Sequence, residues 1–320
     1  MRSWLPLIAP LFLSLVLADT FILPDAYCTE PKPLLEQHSI ISENFLFFLK
    51  NKSLFVRELG KDGEYGTKDD RIVLLYEGSF DKIYPEFKAD RGVVAFVRKK
   101  GPYDSEILSV VSAGPDGFFG SSDDVFSNVF GASKNRIKIV SLRNSYLVFS
   151  VENPEEKRNY VCSLKDTSSG CFIGKIWEIG QNSFSRIFVF SKNNFVFEKA
   201  GTIYSSYRGK KSFVSRGRLE DVKGPLIFFS QEEKIYFSVF PSFPFFKEIG
   251  RGDFFRVQES PEQSSFGFLE IYRGDAFVFD NFFKSRKSFV GNNISYAKLS
   301  GNNLLTKDGF GLRIRRCFLL

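Results

Sequence analysis

Histidine and methionine each occur once, as His38 and Met1, in a chain that carries 39 phenylalanines. A single imidazole excludes histidine-rich metal centres, and a Ser-His-Asp triad would have to use His38. The chain has no Gly-x-Ser-x-Gly elbow, no His-Glu-x-x-His pair, no phosphate-binding glycine loop followed by Lys-Ser/Thr and no dinucleotide fingerprint. Cysteine is scarce: Cys28, Cys162, Cys171 and Cys317, with no Cys-x-x-Cys among them, so a zinc site is not indicated. Beyond the first 18 residues, no charge-free stretch approaches the ~20 residues that span a bilayer. Apolar residues alternate or run in short blocks, and no 3.6-residue periodicity marks a helix. The basic excess, 44 Lys and Arg against 37 Asp and Glu, is spread along the chain rather than gathered in the stripe of a nucleic-acid binder.

What is present begins with an export signal. Arg2 supplies a positive n-region, residues 5–18 form an apolar stretch with Pro6 and Pro10, and Val16-Leu17-Ala18 offers the small residues of a cleavage site. The expectation is a signal peptide over residues 1–18 and a secreted or periplasmic monomer starting at Asp19. Residues 19–42, with Pro24, Pro31 and Pro33, read as an extended lead-in, because proline belongs outside central strands. Residues 43–320 read as the folded domain.

Within that domain, turns run into short aromatic-aliphatic strands at intervals of about 40 to 54 residues. The strand starts are Asn44-Phe45, Gly92-Val93, Ser145-Tyr146, Asn194-Phe195, Lys234-Ile235 and Asp275-Ala276. Further strands fall between them, and each repeat closes on another, such as Arg136 to Val140 or Pro225 to Phe229. Four short strands per repeat predict an all-β protein, a β-propeller of about six four-stranded blades. The count becomes seven if the lead-in and the tail around residues 309–315 form more than one shared blade. Phenylalanine suits such a fold, since it packs on pleated surfaces and between stacked sheets.

In the second repeat, Pro85-Glu86-Phe87-Lys88-Ala89-Asp90-Arg91-Gly92-Val93-Val94-Ala95-Phe96-Val97-Arg98, followed by Ser105-Glu106-Ile107, resembles the blade consensus of TolB-like propellers. The other repeats keep the strand spacing and lose most of the marker residues. The resemblance implies an exported, non-catalytic scaffold that binds a protein or polysaccharide partner. The alternative is a carbohydrate-active propeller enzyme with carboxylates at the central channel, since acids from distant blades can converge without a local motif.

The sharpest local motif occurs twice. Residues 60–70 and 114–124 share Gly-x-Asp-Gly-x-aromatic-Gly-Thr/Ser-x-Asp-Asp. Glycines let the backbone turn its carbonyls inward, and Asp62, Asp69, Asp70 and Asp116, Asp123, Asp124 supply hard oxygens, with backbone carbonyls or Glu64 to complete the ring of oxygens around an ion. Calcium is the expected ion, and a plain turn rich in Asp and Gly is the competing reading. An even cysteine count in an exported chain predicts two disulfides, Cys162–Cys171 across a hairpin and Cys28–Cys317 where the ends of a ring meet. A basic cluster of Arg208, Lys210, Lys211, Arg216 and Arg218 lies across a predicted hairpin. It reads as a solvated face, with an anionic surface or polysaccharide as the alternative partner.

Overall fold

The structure is a computed structural model. It describes residues 27–318 apart from 29, 35, 37, 79–80, 101–104, 144, 168–169, 181–183, 192, 224, 242–245, 252–253, 258–267, 274, 280–287 and 301. The predicted signal peptide lies outside the described residues. Among those described, no helix is long and apolar enough to cross a membrane.

The strands form seven separate antiparallel sheets. The first two in the chain, β1 (Tyr27–Cys28) and β2 (Lys32–Pro33), pair with the last strand, β30 (Gly311–Phe318). Blade one follows as β3 (Ser39–Ser42), β4 (Phe45–Lys50), β5 (Ser53–Glu58) and β6 (Arg71–Tyr76). In blade two the first strand is split around Pro85 into β7 (Asp81–Ile83) and β8 (Lys88–Asp90), followed by β9 (Val93–Lys100), β10 (Ser105–Ser112) and β11 (Val125–Ser133). Blade three is β12 (Arg136–Arg143), β13 (Tyr146–Glu152), β14 (Lys157–Thr167) and β15 (Gly170–Gly180). Blade four is β16 (Arg186–Ser191), β17 (Asn194–Lys199), β18 (Thr202–Tyr207) and β19 (Lys210–Arg216). Blade five is β20 (Arg218–Lys223), β21 (Leu226–Gln231), β22 (Lys234–Val239) and β23 (Lys247–Arg251). Blade six is β24 (Phe254–Val257), β25 (Phe268–Tyr272), β26 (Asp275–Phe279) and β27 (Ser288–Gly291). Blade seven is β28 (Tyr296–Ser300), β29 (Asn303–Asp308) and β30, completed on its outer side by β1 and β2.

First strands touch the first strands of neighbouring blades all the way round, from β28 through β3, β8, β12, β16, β20 and β24 back to β28. They therefore line the axis of a seven-bladed propeller. The predicted count of about six is corrected to seven. The described part of the lead-in is built into the ring, as the outer strand of blade seven and the first strand of blade one. The six strand starts read from the sequence fall on second strands in blades one to four. In blades five and six they fall on third strands, β22 and β26, and the expected closing strand Pro225 to Phe229 is β21, the second strand of blade five.

Phenylalanine explains the stacking. Second and third strands carry cross-strand aromatic pairs at matched registers: Phe48↔Phe55, Phe149↔Tyr160, Phe197↔Tyr204 and Phe229↔Tyr236. Their rings stack with centroids 5.4–5.6 Å apart, a contact beyond simple burial. Between blades, apolar clusters fill the seams, for example Phe47 and Val56 of blade one against Val94 and Phe96 of blade two. Buried glutamates bridge seams as well. Glu106 accepts from Ile137 N–H at 2.6 Å and Glu198 from Leu219 N–H at 2.9 Å, each reaching the first strand of the next blade. Charge-assisted bonds of this kind satisfy backbone donors where two sheets splay apart.

The ring is closed covalently by the Cys28–Cys317 disulfide, whose members face each other in the β1–β30 ladder. The expected Cys162–Cys171 bridge is corrected. The β14–β15 register sets Cys162 opposite Ile176 and Cys171 opposite Asp166. Four residues of strand separate them by about 13 Å, beyond the roughly 7 Å Cα distance a disulfide spans.

Candidate functional site

In an antiparallel meander, the connections between strands one and two and between strands three and four leave from the same end. The inner turns of every blade and the two acidic loops, which join β5 to β6 and β10 to β11, therefore share one face of the ring. That face carries the candidate site.

The two acidic loops fold alike. Asp62 Oδ1 accepts the Glu64 N–H at 2.8 Å, and Asp116 Oδ1 accepts the Phe118 N–H at 2.8 Å. Asp70 Oδ2 caps Gly66 N–H at 2.7 Å, and Asp124 Oδ2 caps Gly120 N–H at 2.6 Å. Asp69 folds back onto the start of its loop, accepting from Lys61 N–H at 2.9 Å, and Asp123 accepts from Asp116 N–H at 3.2 Å. The first glycine of each motif exists for this contact: a Cβ on Gly60 would lie 2.2 Å from Asp69 Oδ2, and one on Gly114 would lie 2.2 Å from Asp123.

At the centre of loop one stands the Thr67 hydroxyl. Asp69 Oδ1 lies 2.7 Å from it, the Glu64 carbonyl 3.1 Å, and Asp62 Oδ1 and Asp70 Oδ1 each 3.4 Å. Ser121 occupies the same place in loop two, against Asp123 Oδ1, the Phe118 carbonyl at 3.3 Å and Asp124 Oδ1 at 3.5 Å. The Thr67 and Ser121 hydroxyls are the main reason that the Asp69 and Asp123 carboxyls sit below the usual carboxylate range. Asp124 is pushed up, first by burial, against its bond from Gly120, with the charges of Asp123 and Asp116 adding to the rise.

Glu64 does not join its loop's centre. Its carboxylate pairs with Lys32 at 3.3 Å, and only its backbone carbonyl faces Thr67. Among the described residues no group of three or more His, Cys, Asp or Glu side chains stands ready to hold a metal ion. As they stand, the acids cap the loops' own N–H groups.

Both loops are also clasped to the preceding blade. Arg316 of blade seven donates to the Asp62 carbonyl, while within blade one Arg57 bridges Asp70 at 3.3 Å and Glu36 of the lead-in at 2.7 Å. Loop two is held the same way: Arg71 of blade one donates to the Phe119 carbonyl, and Glu58 accepts from Phe119 N–H at 2.6 Å. The cross-blade partners Arg71, Glu58 and Arg316 lie 48, 61 and 254 residues away, and no spacing rule exposes them.

Beside loop two, on the same face, a cavity of about 610 Å³ opens among the inner turns of blades one to three. Glu43, Asp90, Arg91 and Ser145 reach it from those turns, and Gly114 and Gly117 of the acidic loop form part of its rim. Its apolar floor includes Phe45 and Leu142. The turns that supply it are tied across seams: Arg91 N–H donates to Ser42 Oγ at 2.9 Å and Glu43 N–H to Ser300 Oγ at 2.6 Å. Sequence reading missed this cavity because it is assembled from three repeats. The one local signal was Asp90-Arg91-Gly92, inside the segment that resembles the TolB-like consensus.

No family model matches the chain, and no curated protein sequence matches it. Solved structures do share its fold. An uncharacterized protein from Listeria monocytogenes EGD-e is 13% identical with a TM-score of 0.51, covering 87% of this chain and 92% of that one. The S. cerevisiae core factor is 10% identical with a TM-score of 0.51, covering 97% of this chain and 63% of the other. The β-propeller domain of the Trilobed protease from Pyrococcus furiosus is 11% identical with a TM-score of 0.48, over 92% of this chain and 96% of that domain. At such identities the likeness concerns architecture alone. Fold and comparisons together define the class: an all-β, seven-bladed propeller with four-stranded blades.

Proposed function

We propose that this protein is an exported, non-catalytic binding scaffold that engages a protein or polysaccharide partner on the loop-bearing face. The observation that carries the reading is the 610 Å³ cavity framed by Asp90, Arg91 and Gly92 on that face. It combines an apolar floor with a few polar groups, the usual make-up of a recognition site. The TolB-like character of the same segment supports it, and the apolar N-terminal stretch supports export. Calcium at the two acidic loops belongs to this proposal: four oxygens converge on Thr67 in loop one, and in loop two a cation would offset the Asp123 and Asp116 charges that add to the rise burial gives Asp124.

The test is site-specific photo-crosslinking in the native host, with a photoreactive residue at Arg91 or at Ser145 and a control at Lys50 on the opposite face. The expected result is a discrete adduct from the first two positions, absent from the control and lost when Arg91→Glu is combined with the Ser145 probe. Adducts from all three positions alike would remove the face from consideration.

One observation favours the enzymatic alternative, since Glu43 and Asp90 both line the cavity. Release of reducing ends from a polysaccharide panel, abolished in Glu43→Gln and Asp90→Asn, would replace the scaffold with a glycoside-cleaving enzyme.

A further inference from the structure

The basic hairpin of blade four stands apart from the acidic loops and the cavity. Its turn passes through Arg208 and Gly209, at φ 51° and 80°, the paired positive angles of a type I′ turn. Such a turn makes Tyr207 and Lys210 a hydrogen-bonded pair, and pair type alternates along an antiparallel ladder. Ser206↔Lys211 and Tyr204↔Phe213 are therefore the open pairs, with Ser205↔Ser212 bonded between them. It follows that the N–H and C=O groups of Lys211 and Phe213 point away from β18. β19 is the outermost strand of its sheet, and no described strand pairs with that edge.

Side chains along the edge have a consistent character. Arg208, Lys210, Lys211 and Arg216 are exposed, and none has an acidic partner among the described residues. The Lys211 ammonium lies over the Tyr204 and Phe197 rings, 4.2 and 5.2 Å from their centroids, which holds it against the sheet. Two residues on and on the same side, Phe213 is 62% exposed. Lysine alone would blunt an edge strand against pairing. A bare phenylalanine beside the cations has the opposite effect, because it offers an incoming chain an apolar seat.

We propose that the edge of β19 binds an extended acidic peptide segment as an added strand. Charge complementarity selects the acid. The outward backbone groups of Lys211 and Phe213 select a peptide, since neither a polysaccharide nor a bilayer presents N–H and C=O groups at strand spacing. The bound segment places an acidic side chain beside Lys211 and, two residues along, an apolar one beside Phe213. This site is independent of the cavity and of its ligand.

The experiment titrates a fluorescein-labelled peptide of repeating Glu-Glu-Val-Val, in which an acidic and an apolar residue stand two apart on each face, into the full chain. Anisotropy and amide hydrogen exchange are followed together. The expected outcome is saturable binding that weakens with added salt, with slowed exchange at the amides of Lys211 and Phe213. Lys210→Glu with Lys211→Glu weakens binding about tenfold or more, from two exposed pairings reversed in sign. Phe213→Pro removes a donor that no native ladder bond uses and abolishes binding, whereas Phe213→Ala keeps part of it. Thermal melts check that each variant folds, and the exchange data on the unaltered chain stand without them. No anisotropy change at millimolar peptide overturns the proposal. So does binding of heparin or phosphatidylglycerol vesicles in the peptide's place without protection of those two amides.

Discussion

A hydroxyl has one proton to give, yet Thr67 stands among four oxygens, three of them from carboxylates. The motif behind this arrangement was legible in the sequence because every participant lies within eleven consecutive residues. The fate of Glu64 was not, since its partner Lys32 comes from the lead-in. The oxygen set proposed for calcium is accordingly Asp62, Asp69, Asp70 and the Glu64 carbonyl, with Asp116, Asp123, Asp124 and the Phe118 carbonyl in loop two. Millimolar calcium should raise the melting temperature and a chelator should reverse the rise. At a hundredfold excess over Kd, binding to the folded state alone contributes about 2.7 kcal/mol per site. Sodium at matched ionic strength should not reproduce the effect, and Asp69→Asn with Asp123→Asn should remove it. Identical melts with calcium and with chelator would leave the loops as self-capped turns.

At the level of strands and blades, polar groups placed at the seams do much of the ordering. Glu220 in β20 is fully buried, and it is met by Arg186 from blade four at 3.0 Å, Arg218 at 3.3 Å and the Ser230 hydroxyl at 2.7 Å. Removing one member of a buried ionic cluster strands the others. Glu220→Ala should therefore cost about 3 kcal/mol in a denaturant titration, and Glu220→Gln less, because the amide oxygen can still accept from Ser230. A change below 0.5 kcal/mol would show that the cluster is dispensable.

The strands themselves were readable from alternation and turn residues, but their grouping into blades was readable only as far as Asn194. The cause is physical. Cross-strand pairs such as Phe229↔Tyr236 put similar residues on second and third strands, so the two look alike once turns shorten. Membership in a blade is a matter of hydrogen-bond partners, which a linear reading does not contain. The same limit hid the cavity, whose walls come from three blades.

For the whole molecule, the decisive contact joins residues 289 positions apart. The chain-entropy account gives a cross-link of that span up to about 5 to 6 kcal/mol of stabilisation, with measured values often smaller. Cys317→Ser should lower the melting temperature and make blade seven the first region to exchange amide hydrogens. In the unaltered chain, mild reductant should act the same way. If exchange instead begins in another blade and the melt is unchanged, closure rests on the β1–β30 and β2–β30 pairing alone.

That contact also orders events in time. Cys28 is made 289 residues before its partner Cys317, which it faces in the β1–β30 ladder. The opening strand must wait through the synthesis of six intervening sheets, its apolar neighbours unsheltered and its thiol unspent. Oxidation of Cys28 onto Cys317 thus marks the closure of the ring. A chain truncated anywhere before residue 317 cannot acquire that bond, and a surveillance system that reads exposed thiols could tell closed rings from open ones.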